Sequence, residues 1–152
     1  MLNEDYKEML QGLSDEKVEF LLVGAYALAA HGYPRATIDL DLWIKRSTEN
    51  AAAVMRALVR FGAPLHNLSQ QDLQEAGTVF QIGVAPRRID IITRASGLQF
   101  QDAFKHAIIV DIEGIQIHVL SIDDLIRNKR AAARTKDLAD VEALETLKIR
   151  NK

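Results

Sequence analysis

The chain has 152 residues, 48% of them apolar and 26% charged, with a net charge of −2. This length and composition predict one globular domain over residues 1–152, and the small negative charge argues against a protein that coats nucleic acid with its whole surface. The lack of cysteine excludes disulfides and thiolate metal sites. We expect a cytoplasmic protein, because no apolar run reaches the roughly 18 residues of a membrane span and MLNEDYKEML does not resemble a signal peptide.

The first half of the chain alternates between helix and strand signals. Asn3 can cap a first helix that runs to about residue 11. The apolar run VEFLLVG predicts a buried strand, and the alanine-rich segment after it predicts a helix that ends near Gly32. The segment TIDLDLWIK predicts a second strand. A longer helix follows, TENAAAVMRALVRFG, which Ser47 or Thr48 can cap and Gly62 ends.

The second half of the chain contains more strands. Residues 63–77 predict a loop with a short helical turn. TVFQIG and RRIDIIT predict antiparallel strands, and AIIVDI and IQIHVL predict a hairpin around Glu-Gly. Ser121 and Asp124 resemble a capping box for a helix to about residue 132, and a last helix is predicted over 137–148. Four apolar side chains are expected to pack this last helix on the domain: Leu138, Val141, Leu144 and Ile149.

Two aspartates lie one residue apart in the second predicted strand. Since side chains alternate along a strand, Asp39 and Asp41 share a face with Trp43, opposite an apolar face. Aspartate is rare in strands, and like charges on one face repel each other. These carboxylates therefore either face water or bind a divalent cation such as Mg²⁺, which takes carboxylate and phosphate oxygens as ligands.

Two further features point to a phosphate and metal site. Gly24, between a predicted strand and a helix, is either a plain turn or a point where phosphate approaches the free N–H groups of the helix start. Asp90 is a second charged residue in an apolar strand, RRIDIIT. A third carboxylate near Asp39 and Asp41 would complete a divalent site.

The stretch from Val23 to Leu42 reads apolar–Gly–small, thirteen residues, then Asp–apolar–Asp–apolar. This layout resembles the nucleotidyltransferase superfamily that includes DNA polymerase β. The resemblance implies an α+β fold, with a central mixed sheet flanked by helices and two C-terminal helices. It also implies that Asp39, Asp41 and Asp90 are catalytic and bind two Mg²⁺ or Mn²⁺ ions.

A second resemblance is to small bacterial members of this superfamily. LLVGAYALAAHGYPRATIDLDLWI and LIRNKRAAARTKDLADVEAL look like the two halves of domains related to the AbiEii-like toxins of type IV toxin–antitoxin systems, over about residues 13–147. The second segment contains a basic block: Arg127, Lys129, Arg130, Arg134 and Lys136. This block suits a triphosphate or a nucleic-acid end, and Asp137 either caps the last helix or takes part in the site. The resemblance implies these nucleotide-binding residues: Gly24, Ala25, Tyr26, Arg35, Lys129, Arg134, Lys136 and Asp137.

The function implied is transfer of a nucleoside monophosphate from an NTP to a hydroxyl group. The acceptor is a tRNA or other RNA end, a partner protein of a toxin–antitoxin pair, or a small molecule. One departure is Ala25, where the superfamily prefers glycine or serine, so that backbone N–H groups of Ala25 and Tyr26 would replace a serine hydroxyl. This departure supports the alternative, a catalytically degenerate nucleotide-binding or antitoxin-like interaction module with the same fold.

Overall fold

The computed structural model describes residues 2–33, 39–84, 87–132 and 134–150, except for the side chains of residues 135 and 136. Within these ranges six strands alternate with six α-helices and one short 3₁₀ helix. In chain order they are α1 (Glu4–Asp15), β1 (Phe20–Val23), α2 (Gly24–Ala30), β2 (Leu40–Ile44), α3 (Thr48–Phe61), a 3₁₀ helix (Asp72–Gln74), β3 (Val79–Ile82), β4 (Ile89–Ile92), α4 (Phe100–His106), β5 (Ile108–Ile112), β6 (Ile115–Val119), α5 (Ile122–Ala132) and α6 (Thr135–Arg150). None of the helices described has the length and apolar character needed to cross a membrane.

All six strands form one mixed sheet in the order β3-β4-β2-β1-β6-β5. The central strand β2 is parallel to β4 and antiparallel to β1, and β1 is parallel to β6. The antiparallel pairs β3–β4 and β5–β6 are the two pairs that the sequence predicts. The α+β fold with a central mixed sheet is therefore confirmed.

The two faces of β2 differ as the alternation of its residues predicts. Leu40, Leu42 and Ile44 are fully buried, in one hydrophobic core with apolar residues of α1 and α3. On the other face Trp43 packs edge-on against Phe100 of α4, with ring centroids 5.3 Å apart. Because Asp41 shares this second face, α4 and the candidate site lie on the same side of the sheet.

Local capping signals position several of the helix ends. The side chain of Asn3 accepts a hydrogen bond from the N–H of Tyr6 at the start of α1, and Ser47, not Thr48, caps α3. Gly62 ends α3 in the left-handed conformation, with φ of 88°. Ser121 caps the start of α5, since its hydroxyl accepts a hydrogen bond from the N–H of Asp124 at 3.1 Å.

Three predictions need correction. The helix α4 was not expected, because it is only seven residues long and Gln99 before it makes no capping bond. Leu138 and Ile149 do not pack on the domain, with 54% and 73% of their surface exposed. The inward side of α6 instead carries Val141 and Leu144 together with two buried acids, Asp137 and Asp140. The segment 34–38, including Arg35, lies outside the described residues.

Candidate active site

Sheet pairing brings the conspicuous residues of three distant segments together. Asp41 of β2 is paired with Asp90 of β4 on one side and with Val23 of β1 on the other. Gly24 follows Val23 directly, and Asp39 comes just before β2. The centre of the sheet therefore has two neighbouring carboxylates beside the turn from β1 into α2.

The pair Asp41 and Asp90 is buried enough to change its ionisation. Asp90 is only 7% exposed. Burial, the charge of Asp90 and a hydrogen bond to its carboxyl group raise the pKa of Asp41 from 3.8 to about 7. Two carboxylates that share a partly buried space cannot both ionise easily. In the protein alone, Asp41 is therefore protonated below about pH 7.

Arg88 supplies the positive charge in this cluster. Its Nη2 lies 2.8 Å from Oδ2 of Asp39 and donates a hydrogen bond of 3.2 Å to Oδ2 of Asp90. Its Nε lies 3.2 Å from Oδ1 of Asp90, an ion pair whose two atoms lack hydrogen-bond alignment, so Oδ1 has no hydrogen-bond partner. The guanidinium thus bridges Asp39 and Asp90.

Gly24 is required by its contact with Asp41. Its φ is +68°, and a Cβ atom placed there would overlap the carboxylate oxygen Oδ2 of Asp41 and lie 3.2 Å from Cγ. A larger residue would meet both backbone strain and a buried side chain. The glycine at this turn therefore makes room for the carboxyl group of Asp41.

A cavity of about 290 Å³ opens beside these residues. Its walls come from β1, α2, β2, β4, α5 and the start of α6: Val23, Gly24, Ala25, Leu28, Asp39, Asp41, Ile92, Asn128, Lys129 and Arg134. Two cavities of about 430 and 440 Å³ lie between α1 and α3 and between α5 and α6, and neither is lined by a predicted site residue. The cavity at the carboxylates is therefore the best candidate for a ligand.

Lys129 is buried in an ion-pair network that joins α5 to α6. Its Nζ lies 3.3 Å from Oδ1 of Asp137 and 3.3 Å from Oδ2 of Asp140. The side chain of Asp137 is fully buried, and its Oδ2 accepts a 2.6 Å hydrogen bond from Nε of Arg134. Asp137 also accepts a hydrogen bond from the backbone N–H of Arg134, which caps the start of α6.

The rest of the basic block is paired in the same way. Arg127 forms an ion pair with Asp124, and Arg130 forms one with Glu145. Of the block, only the side chain of Lys136 lies outside the described residues. The two C-terminal helices supply acidic partners for the described residues of the basic block. The positive charge of this block therefore does not by itself require an anionic ligand.

No protein-family model and no curated protein matches the chain. Among solved structures, the crystal structure of a "putative nucleotidyltransferase" from Thermotoga maritima matches over 100% of this chain and 97% of its own, with a TM-score of 0.61 and 19% identity. The fold is a nucleotidyltransferase-like fold. At 19% identity, this likeness shows the fold alone.

The ligand atoms of the site suit a hard divalent cation, although the side chains are not arranged around one point in this structure. Asp39, Asp41 and Asp90 offer only carboxylate oxygens, which Mg²⁺ and Mn²⁺ prefer, and Oδ1 of Asp90 is a buried oxygen without a hydrogen bond. Within the described parts of the chain, however, no three acidic or histidine side chains surround one point as a metal site. Arg88 contacts two of the three carboxylates instead.

The predicted site residues divide into three groups. Gly24, Ala25, Asp39 and Asp41 line the cavity together with Lys129 and Arg134, and Asp90 lies beside Asp41. The ring of Tyr26 lies elsewhere, since it packs edge-on against Tyr6 and lines a groove near β5, and the group predicted to bind phosphate is its backbone N–H. Arg35 and the side chain of Lys136 lie outside the described residues, and Asp137 is buried behind Lys129.

Two polar residues of the site, Arg88 and Asn128, are not predicted from the sequence. Arg88 lies two residues before Asp90 in an extended segment, so the alternation of a strand could have placed both on one face. Asn128 precedes Lys129 and lines the cavity, and its side chain donates a 2.9 Å hydrogen bond to the carbonyl of Ser96. Nothing in the sequence alone distinguishes Asn128 from an ordinary helix residue.

Proposed function

We propose that this protein transfers a nucleoside monophosphate from an NTP to a hydroxyl group at the cavity bounded by Gly24, Asp39 and Asp41. The observation that carries the proposal is the pairing of Asp41 with Asp90 on the central strands, at a turn where Gly24 leaves no side chain. A strand-to-helix glycine beside clustered carboxylates suits a ligand that combines phosphates and a divalent cation.

Asp39, Asp41 and Asp90 would hold Mg²⁺ or Mn²⁺. Such ions, when bound, neutralise phosphate charge and lower the pKa of an attacking hydroxyl group. The hydroxyl oxygen forms a bond to the α-phosphorus, the bond to the leaving pyrophosphate breaks, and the hydroxyl proton is released. The chain's own carboxylates bring these groups together, and Asp41 must lose the proton that its raised pKa favours before it can act as an anionic ligand.

Arg134 and Lys129 take different parts in nucleotide binding. Arg134 lines the cavity with 65% of its side chain exposed, so it can donate to a phosphate while it remains paired with Asp137. Lys129 is held by two buried acids, and we infer that it mainly positions α6 and the cavity wall. Ala25 and Tyr26 contribute their backbone N–H groups, and Ala25 has no hydroxyl.

The acceptor and the biological role follow only from the resemblance to AbiEii-like toxins. On that basis the acceptor is an RNA end such as a tRNA, a partner protein or a small molecule, and the protein takes part in a toxin–antitoxin system. The single domain offers one cavity of about 290 Å³ at the site, which leaves a macromolecular acceptor to supply further contacts from outside.

A second candidate function is nucleotide binding without transfer, in an antitoxin-like module. Ala25 in place of glycine or serine supports it, as do the ion pairs of Arg88 with Asp39 and Asp90, which neutralise the cluster without a metal. The two functions differ in whether bound NTP is consumed.

Transfer is tested with each α-³²P-labelled NTP, Mg²⁺ and cell extract. We expect an RNA, a protein or a small molecule to become labelled by the wild type and by Asp102→Asn, an exposed control on α4, but not by Asp41→Asn. Mg²⁺-dependent NTP binding without labelling would support the non-catalytic module. If no NTP binds to a folded protein, neither proposed function holds.

A further inference from the structure

Arg88 occupies a defined place in the fold, and its backbone is fixed from two sides. Its carbonyl oxygen accepts a hydrogen bond from the N–H of Leu40 at the start of β2 and another from the hydroxyl of Tyr6 in α1, both at 3.0 Å. Tyr6 is only 1% exposed. The main chain of Arg88 is therefore anchored next to the carboxylates, and a change of position is left to its side chain.

Among the described residues, Arg88 is the only cation that pairs with Asp39 or Asp90. Lys129 and Arg134, which line the same cavity, pair with Asp137 and Asp140. With Arg88 in place, the charge that would attract a divalent cation is partly neutralised. A metal ion that uses Asp39 and Asp90 as ligands must take their oxygens from the guanidinium.

We propose that Arg88 is an internal competitor for the metal: its side chain holds Asp39 and Asp90 in the metal-free protein and must move away before a divalent cation can bind. This inference rests on the proposed function and deepens it, because it names the residue that sets the metal affinity of that site. Arg88 acts as a positioning residue, since it organises the ligands and does not itself bind the metal.

The incomplete contacts of Arg88 agree with a partner that can be exchanged. Its Nε and Oδ1 of Asp90 are buried atoms at 3.2 Å without hydrogen-bond alignment. A permanent arginine–carboxylate pair generally forms two aligned hydrogen bonds, whereas here only the Nη2 contact to Asp90 meets that geometry. The pair is close enough to neutralise charge and lacks the geometry of a fixed bidentate pair.

The expected size of the effect follows from the fraction of open sites. If the guanidinium of Arg88 contacts the carboxylates in about nine molecules of ten, the measured metal affinity is about tenfold weaker than the affinity of the site without this contact. Removing the side chain of Arg88 should therefore strengthen metal binding by roughly tenfold. A residue that served only the fold would not strengthen metal binding when it is removed.

The test is a titration with Mn²⁺, followed by the electron paramagnetic resonance signal of free Mn²⁺, without nucleotide. We expect Arg88→Gln to bind Mn²⁺ about tenfold more tightly than the wild type. The matched control is Arg87→Gln, which removes the same charge from the neighbouring position, where the side chain lies 3.9 Å from Asp5 and is 62% exposed. We expect this control to bind Mn²⁺ as the wild type does.

Three results would overturn the inference. One is unchanged or weaker Mn²⁺ binding by Arg88→Gln, and a second is the same gain in Arg87→Gln, which would indicate a general charge effect. If unchanged Mn²⁺ binding comes with weaker NTP binding, Arg88 contacts the nucleotide and does not compete with the metal. In each of these cases the wild type binds Mn²⁺, so the proposed function stands.

The third result is an absence of Mn²⁺ binding in all three proteins, which overturns the inference and the metal-dependent function together. Circular dichroism establishes whether Arg88→Gln is folded. If it is not, Arg88→Lys replaces it, because lysine lacks the fork that spans both Asp39 and Asp90. Mn²⁺ affinity should then still increase, and an unchanged affinity again overturns the inference.

Discussion

The carboxyl group of Asp41 lies between the backbone of Gly24 and the carboxyl group of Asp90, and this position determines its acidity. Burial and the neighbouring charge raise its pKa to about 7, and Arg88 acts in the opposite direction. The folded protein therefore binds a proton at Asp41 that the unfolded chain releases near pH 3.8. The proton on Asp41 stabilises the folded protein fully below pH 3.8, and this stabilisation is lost as the pH rises through about 7.

Asp41→Asn should remove that pH dependence. The amide stays neutral and can still donate a hydrogen bond to Asp90. In metal-free buffer, the free energy of unfolding of the variant relative to that of the wild type should therefore be higher at pH 8 than at pH 5. The expected gain is roughly 2–3 kcal/mol, from about 1.4 kcal/mol per pKa unit. Urea unfolding at both pH values measures it, with the exposed Asp102→Asn as control. An equal effect at pH 5 and pH 8 would show that Asp41 is not protonated in the folded protein.

At the scale of elements, α5 and α6 are joined through the buried ammonium group of Lys129. The acids that hold it, Asp137 and Asp140, are both almost completely buried. From the sequence, Lys129 was predicted as a phosphate contact. In the structure its charge is balanced within the protein, and its first effect is on the packing of the two helices.

Lys129→Met should therefore destabilise the fold by about 3 kcal/mol or more, because it removes a buried ammonium group that contacts two buried carboxylates. The control is Arg130→Met on the same helix, whose ion pair with Glu145 is exposed and should be worth less than about 1 kcal/mol. Chemical denaturation measures both variants. If Lys129→Met is as stable as Arg130→Met, the network is not structural, and weaker NTP binding by that variant would restore the phosphate role.

Elements with local signals were predicted well from the sequence. Asn3, Ser47 and Ser121 accept the hydrogen bonds that cap their helices. The Glu-Gly pair forms the predicted hairpin turn, with positive φ at both Glu113 and Gly114. The helix α4 has no such signal at its start, and it was missed.

At the scale of the whole molecule, the sequence could not supply contacts that depend on strand order. Asp41 and Asp90 become neighbours only because β2 and β4 pair in parallel at the centre of the sheet. The pairing of Arg88 with Asp39 depends on the same arrangement. The resemblance to nucleotidyltransferases named the three aspartates without this knowledge, but it gave no indication that an arginine lies among them.

The exposed residues of α6 show a similar limit. Leu138 and Ile149 fit an apolar stripe with Val141 and Leu144, yet only the latter two are buried. The space that a continuous stripe would fill is shared with Asp137 and Asp140, which pair with Lys129 of α5. An apolar pattern of helical period predicts the buried face of a helix only when no polar residue of that helix has a buried partner.

We propose that Asp39, Asp41 and Asp90 bind the metal in a nucleotide-binding cavity. Anomalous diffraction from crystals grown with Mn²⁺ and a non-hydrolysable NTP analogue tests this directly. We expect a Mn²⁺ peak in contact with the carboxylates of Asp41 and Asp90, and a triphosphate in the cavity beside Gly24. A nucleotide bound elsewhere, or saturating Mn²⁺ with no peak at these carboxylates, would contradict it.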